Sequence, residues 1–396
     1  MSSKLRIYTA SFFRFIFPIL LIIGLYILFL LRYDLRRSLI FLIGIGFGYT
    51  LKRARFGYTS HFRKLLHGRG QGMRAQIIMF LVTSLIALPI YYHSKPIFKQ
   101  NKDFSTNLYP VSTSVLLGAF IFGIGQQLGD CCASGVLYDV GSGNIRAVWV
   151  LIFFISGTVI EYIFQIHNHG IQLLLFYVFG FALAYFVTIL IEIKVHGGVE
   201  ESWLQKIISK FHKKESQDQE IDEIKQLLVP INEPQEEKSL FFKLFQSNWS
   251  YLTGAFILSG IQILFLFVGG ELLVVNYGEL WEYSKLPKDL LANDYFILDL
   301  AVIIGSFLAA SYMKSFGKSQ SFNPISWVGG IFGGIFLGFG SRLAGGCNIG
   351  ALTSGIVSWS VTAFTWYVCA MCGNLVGMYL RPIFKIPTSP TPKKRN

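Results

Sequence analysis

Charge is scarce in this sequence. Of its 396 residues only 14% are Asp, Glu, Lys or Arg, against 53% that are hydrophobic, whereas a soluble domain is about one-quarter charged. That shortage excludes an ordinary water-soluble domain and points to an integral membrane protein. The strict apolar–polar alternation of an outer-membrane barrel is missing, so the spans are helical. A Walker A pattern, G-x-x-x-x-G-K-[ST], is missing as well, which excludes ATP as an internal driver. Cysteine is limited to five residues, none in a long extramembrane segment, so no disulfide framework is expected. Acidic residues number 22 against 35 basic ones, a net charge of +13. No nucleic-acid motif accompanies that excess, and Lys and Arg collect in the cytoplasmic loops of membrane proteins. The expected partner is therefore the lipid bilayer, with no nucleic acid.

Apolar runs near 15–31, 75–93, 171–194, 251–269, 295–313 and 358–380 are long enough to cross a hydrocarbon core, which takes about 20 helical residues. Weaker candidates broken by glycine lie at 38–51, 112–128, 145–163 and 325–343. The first run is followed by Arg32, Asp34, Arg36 and Arg37, not by a small-residue cleavage site, and reads as a retained helix. Residues 51–74 hold seven Lys or Arg and no acid, which assigns this loop to the cytoplasm. The mixed-charge stretch from His196 to Lys243 reads as a cytoplasmic linker, and the basic tail "TPKKRN" should also be inside. The expected fold is an all-α polytopic membrane protein of about nine or ten transmembrane helices. Its expected parts are an N-terminal helix within 1–35, a first repeat at 36–195, a linker at 196–250, a second repeat at 251–385 and a tail at 386–396.

Two stretches carry the repeat. "GIGQQLGDCCASG" (123–135) and "GFGSRLAGGCNIG" (338–350) align at an offset of 215, matching Gly123 with Gly338, Gly125 with Gly340, Leu128 with Leu343, Cys132 with Cys347 and Gly135 with Gly350. About five crossings separate them, and an odd number inverts the second copy, as in transporters whose substrate site lies near the midplane. Closely spaced glycines are expected to break each helix. Broken backbone at membrane depth is tolerated only inside protein or along a wet cavity, and its unpaired N–H groups attract anions. A thiol placed there is a weak donor and a soft, polarizable contact.

The candidate substrate-binding residues are Cys132, Cys347, Cys131, Arg342, Asn348, Gly346 and Gln127, with no catalytic residue, no metal site and no cofactor. Cys132 and Cys347 lead, because they are equivalent. Cys131 faces Gly346 across the repeat and suits packing or an accessory role. Arg342 is suited either to an anion or to a structural salt bridge, since intramembrane charge is costly and usually paired or functional. Asn348 and Gln126–Gln127 suit a substrate oxygen or, somewhat better, a cap on a broken helix. Asp130 repels an anion unless it is protonated or paired. Cys369 and Cys372, three apart in an apolar helix, read as small buried residues; two thiols do not close a zinc site.

"GFGSRLAGGCNIGALTSGIVSWSVTAFTW" (338–366) resembles the signature of the YeeE/YedE family of sulfur-compound transporters, and "GDCCASGVLYDVGSGN" (129–144) its first-half counterpart. "FGYTSHFRK" (56–64) and "YFILDLAVIIGSFLAA" (295–310) resemble the family's upstream loop and second-half approach. The resemblance implies a non-enzymatic, multi-pass protein of the bacterial inner membrane that takes up thiosulfate or a related inorganic sulfur anion, handed between neutral thiols at Cys132 and Cys347. The family commonly has a further cysteine where this chain has Gly57, and a glycine where it has Asp130. Some members are linked to selenium, which keeps a selenium compound as the alternative substrate, and the linker could receive a cytoplasmic sulfur-carrier protein. A membrane thiol redox protein is the competing class, but neither cysteine pair has the basic neighbour that would activate a thiol. A soft-metal channel would want a histidine- or cysteine-rich mouth, and the seven His are scattered.

Overall fold

Helices α2, α5, α8, α9 and α10 each start on a polar side chain that takes up amides left over in the first turn: Asp34 accepts from Arg37 N, Ser112 from Val115 N, Ser250 from Thr253 N, Asn293 from Tyr295 and Phe296 N, and Asn323 from Ile325 N. The computed structural model describes residues 16–66, 68–98, 103–105, 110–167, 247–275, 293–317 and 323–387, and all their regular elements are helical. In chain order these are α1 (Phe17–Arg32), α2 (Leu35–Ala54), α3 (Tyr58–Leu66), α4 (Gln71–His93), α5 (Thr113–Gly129), α6 (Ala133–Gly141) and α7 (Ile145–His167). After the linker come α8 (Tyr251–Gly269), α9 (Asp294–Tyr312), α10 (Pro324–Leu343), a π-helix (Asn348–Ser354) ending in one α-turn (Gly355–Val357), and α11 (Val361–Leu380).

The protein is an all-α polytopic membrane protein. Among the described residues, seven segments are long and apolar enough to cross a bilayer, the cysteine-bearing ones being Thr113–Gly141, Pro324–Val357 and Val361–Leu380. The expected span at 171–194 and most of the 196–250 linker lie outside the described residues. Helix α10 packs on both α7 and α5, α11 on α5, α9 on α2, and α8 on α4 and α2. These partners follow the order that suits a duplicated unit: α2 with α9 matches α8 with α4, and α7 with α10 matches α11 with α5.

Two expectations are corrected. Gly118, Gly123 and Gly125 sit inside an unbroken α5, and Gly333, Gly338 and Gly340 inside an unbroken α10. Instead of breaking the helices, these glycines let backbones touch: a Cβ on Gly338 would strike the Phe154 carbonyl, one on Gly123 the Ala370 carbonyl, and one on Gly333 the backbone of Gly129. Between membrane helices such close packing substitutes for the missing hydrophobic drive and outweighs glycine's poor helix propensity. The breaks fall just beyond, at 130–132 and 344–347. The basic stretch 51–74 is also no simple loop. Its middle forms α3, whose Tyr58, Thr59, His61, Phe62 and Arg63 are buried, the amphipathic pattern overriding its charge.

Gly338→Leu is expected to disrupt the α10–α7 contact by more than the roughly 1–3 kcal/mol of ordinary overpacking, seen as loss of a monodisperse peak and a lowered melting temperature in detergent. Gly260→Leu, where a Cβ meets nothing within 4 Å, should leave both unchanged.

Candidate functional site

Three short helical segments begin at equivalent kinds of places. Gly57 precedes α3, its carbonyl accepting from His61 N at 3.0 Å; Cys132 precedes α6, its carbonyl accepting from Val136 N at 2.8 Å; Cys347 precedes the π-helix, its carbonyl accepting from Ala351 N at 2.8 Å. Both cysteines are buried N-caps with extended backbone. The Cys132 thiol sulfur accepts from Gly135 N at 3.3 Å and lies 3.5 Å from the Ser134 hydroxyl. The start of α6 is thus capped by this sulfur. The Cys347 side chain makes no hydrogen bond to the first turn of the π-helix and points toward the Val275 carbonyl at 3.9 Å.

Tyr58 joins the halves directly. Its hydroxyl is 2.7 Å from that of Thr353, which donates to the Asn348 carbonyl at 2.8 Å. Beside it lies an amide network, in which Gln127 Oε1 is left without a hydrogen-bond partner. Gln126 Nε2 donates to Asn348 Oδ1, Asn374 Nδ2 donates to Gln126 Oε1 at 2.7 Å, and Gln127 Nε2 donates to Asn374 Oδ1 at 2.7 Å. Gln126, Gln127 and Asn348 therefore spend these contacts on one another and on α11. The residue next to Cys347 is fixed by a side chain of α5.

The remaining candidates separate. Cys131, next to Cys132, donates to the Gly129 carbonyl at 3.3 Å. Gly346 adopts φ +144, and a Cβ there would press on Ala351 N, so glycine is required for the turn. Arg342 lies 2.7 Å from Glu161 and over the ring of Tyr162, taking the salt-bridge option. Gly57 has the Tyr138 hydroxyl and Ser60 around it, where a Cβ would meet them at 2.9 and 3.1 Å. Cys369 and Cys372 stand half-buried on α11.

Asp130 closes α5 as its left-handed C-cap, with φ +63. Its carboxylate pairs with Arg63 of α3 and, at 3.0 Å, with Arg381 at the end of α11. Arg381 also donates to the Gln127 carbonyl at 2.6 Å and to the Pro387 carbonyl. Arg146 donates to the carbonyls of Leu128 and Gly129 at 2.7 and 3.3 Å. The end of α5, where negative partial charge concentrates, is wrapped by guanidinium groups. Sequence reasoning missed Tyr58, Thr353, Asn374, Arg63 and Arg381. Only Asn374, polar within an apolar span, carried a readable signal.

The chain matches the family model described as "Sulphur transport" over residues 53–376. It belongs to that family. The protein is thus a multi-pass membrane protein of that family. Curated relatives agree with this at modest identity. A "Probable transporter YedE" of Escherichia coli K12 is 32% identical over 152 residues, 37% of this chain and 36% of that protein, so the matched stretch spans about a third of the relative's length. A "Thiosulfate transporter TsuA" of Spirochaeta thermophila is 22% identical over 365 residues, covering 84% of this chain and 95% of the relative. The Escherichia coli protein of the same name is 23% identical over 327 residues, 78% of this chain and 84% of the relative.

If Arg342 serves structure, Arg342→Gln should destabilise the protein by about 3–5 kcal/mol by leaving a buried carboxylate without its guanidinium. The double variant Glu161→Gln with Arg342→Gln should recover most of that loss in thermal melts.

Proposed function

We propose that this transporter takes up thiosulfate or a closely related inorganic sulfur anion across the bacterial inner membrane, passing it between the neutral thiols of Cys132 and Cys347. One observation carries the reading: Cys132 caps α6, Cys347 precedes the π-helix, and α3 bridges the two segments, its Tyr58 hydroxyl 2.7 Å from that of Thr353 and its preceding Gly57 beside the Tyr138 hydroxyl. Helix starts attract anions through their unsatisfied N–H groups and dipole, and here the thiols stand at the point of attraction. The TsuA relatives, named as thiosulfate transporters, match across most of this chain and support the substrate class.

The chemistry suits a conductor. The terminal sulfur of thiosulfate is a large, soft acceptor, and an S–H group is a weak donor. Passage requires binding strong enough to admit the anion and weak enough to release it. Each unit charge moved against 100 mV costs about 2.3 kcal/mol, so a dianion entering a negative-inside cell faces about twice that. Uptake is then driven by co-transported protons, a steep gradient or consumption inside. In this reading 36–195 and 251–385 form the two inverted repeats, and the 196–250 linker lies on the cytoplasmic side, where it could meet a sulfur-carrier protein.

Uptake of radiolabelled thiosulfate by a bacterium lacking its own thiosulfate and sulfate importers tests this. Cys132→Ala and Cys347→Ala should each bring uptake to background with normal membrane levels, while Cys369→Ala should keep it. Persistent uptake in both of the first two variants removes the thiol relay.

A further inference from the structure

The loop before Cys132 and the loop before Cys347 share a backbone but not a charge. Asp130 and Gly345 are equivalent at the offset of 215, and both adopt the left-handed conformation, at φ +63 and +72. Glycine adopts that conformation at little cost, whereas aspartate does so only with strain. The turn itself therefore does not call for a carboxylate. The carboxylate answers to its surroundings: Arg63 and Arg381 both pair with it, and Arg146 adds a third positive charge.

Two of these guanidinium groups do not depend on Asp130 for their placement. Arg381 is held by the Gln127 and Pro387 carbonyls, and Arg146 by the Leu128, Gly129 and Ser326 carbonyls. Neutralising Asp130 would leave a preorganised basic site, and preorganised donors bind without an ordering cost. Asp130, Cys131 and Arg146 also line one small pocket, with Asp139 on its wall. Three guanidinium groups against these two carboxylates leave one positive charge. Without the Asp130 charge there are two, the complement of a dianion. Guanidinium forks suit the oxygens of such an anion, and the adjoining thiols suit its sulfur.

We propose that Arg63 and Arg381 form an oxyanion site for the transported dianion that Asp130 occupies in its absence, so that the tethered carboxylate competes the anion off and speeds its release. This rests on the transport reading above. No bond is made or broken; one anion replaces another on the same donors. A site charged +2 in a low-dielectric setting would otherwise hold a dianion too tightly for conduction.

The test is thiosulfate binding to the detergent-solubilised full chain by calorimetry, with sulfate as second probe and chloride as control, alongside uptake in proteoliposomes. Asp130→Asn should bind thiosulfate and sulfate at least about tenfold more tightly, a step of about 1.4 kcal/mol, and its maximal uptake rate should fall. Asp130→Gly, whose backbone Gly345 shows to be attainable, should do the same and stands in if the asparagine variant does not fold. Adding Arg381→Gln to Asp130→Asn should abolish the gain in affinity. Unchanged affinity in both single variants, beside an unmodified chain that transports thiosulfate, overturns the proposal, as does a gain that survives Arg381→Gln. An unmodified chain that moves no thiosulfate overturns the transport reading instead.

Discussion

A helix that starts inside a bilayer leaves amide hydrogens that water cannot reach, and everything distinctive about this protein follows from how those amides are satisfied. At 132 the acceptor is a thiol sulfur, and at 347 a cysteine fills the cap position without accepting from the first turn. An aspartate or serine caps a helix more strongly, and this chain uses such residues at the starts of α2, α5, α8, α9 and α10. The two buried half-helices carry cysteine at that position instead. A sulfur cap satisfies its amides only weakly, and a weakly satisfied amide is one that a passing acceptor can borrow. The same choice that costs stability leaves the helix starts open to exchange.

Such weak caps must be held by something stronger, and the surroundings supply it. Glycine faces let α5, α7, α10 and α11 meet backbone to backbone. The Gln126–Asn348–Asn374–Gln127 amides fix the residue beside Cys347 to α5 and α11, and the Tyr58–Thr353 contact ties α3 to the π-helix. Rigidity around the sulfurs comes from groups that have already found partners. The sulfurs are the softest acceptors in a stiff frame, which is how a site can be preorganised and still release what it binds.

Much of this was legible in the sequence, and the limits have physical causes. Cys132 and Cys347 could be paired because the two motifs keep the same spacing, and both stand ahead of short helical segments. The helical class followed from apolar runs whose length only a bilayer explains. The role of glycine was misread, since propensity concerns an isolated helix and the close approach to the Phe154 and Ala370 carbonyls exists only after packing. Tyr58 and Thr353 are separated by 295 positions and Arg63 and Asp130 by 67; one sequence carries no signal linking them. The helix within 51–74 was hidden for a related reason: Arg63 is paired with Asp130, far away in the sequence.

The two breaks each carry a cysteine ahead of a short helix, but the charges around them differ. Asp130, Arg63 and Arg381 gather at the first break, where the second has Gly345. A fixed charge cannot set the direction of net flow, because a static field contributes equally to the forward and reverse journeys, and the balance belongs to gradients and membrane potential. What such asymmetry can set is where an anion pauses. On the transport reading, a dianion meets soft donors at both breaks and guanidinium groups at only one, so its longest residence falls beside Cys132 unless a competing carboxylate shortens it. The conspicuous departure from symmetry in the site is therefore also the feature with most leverage over rate.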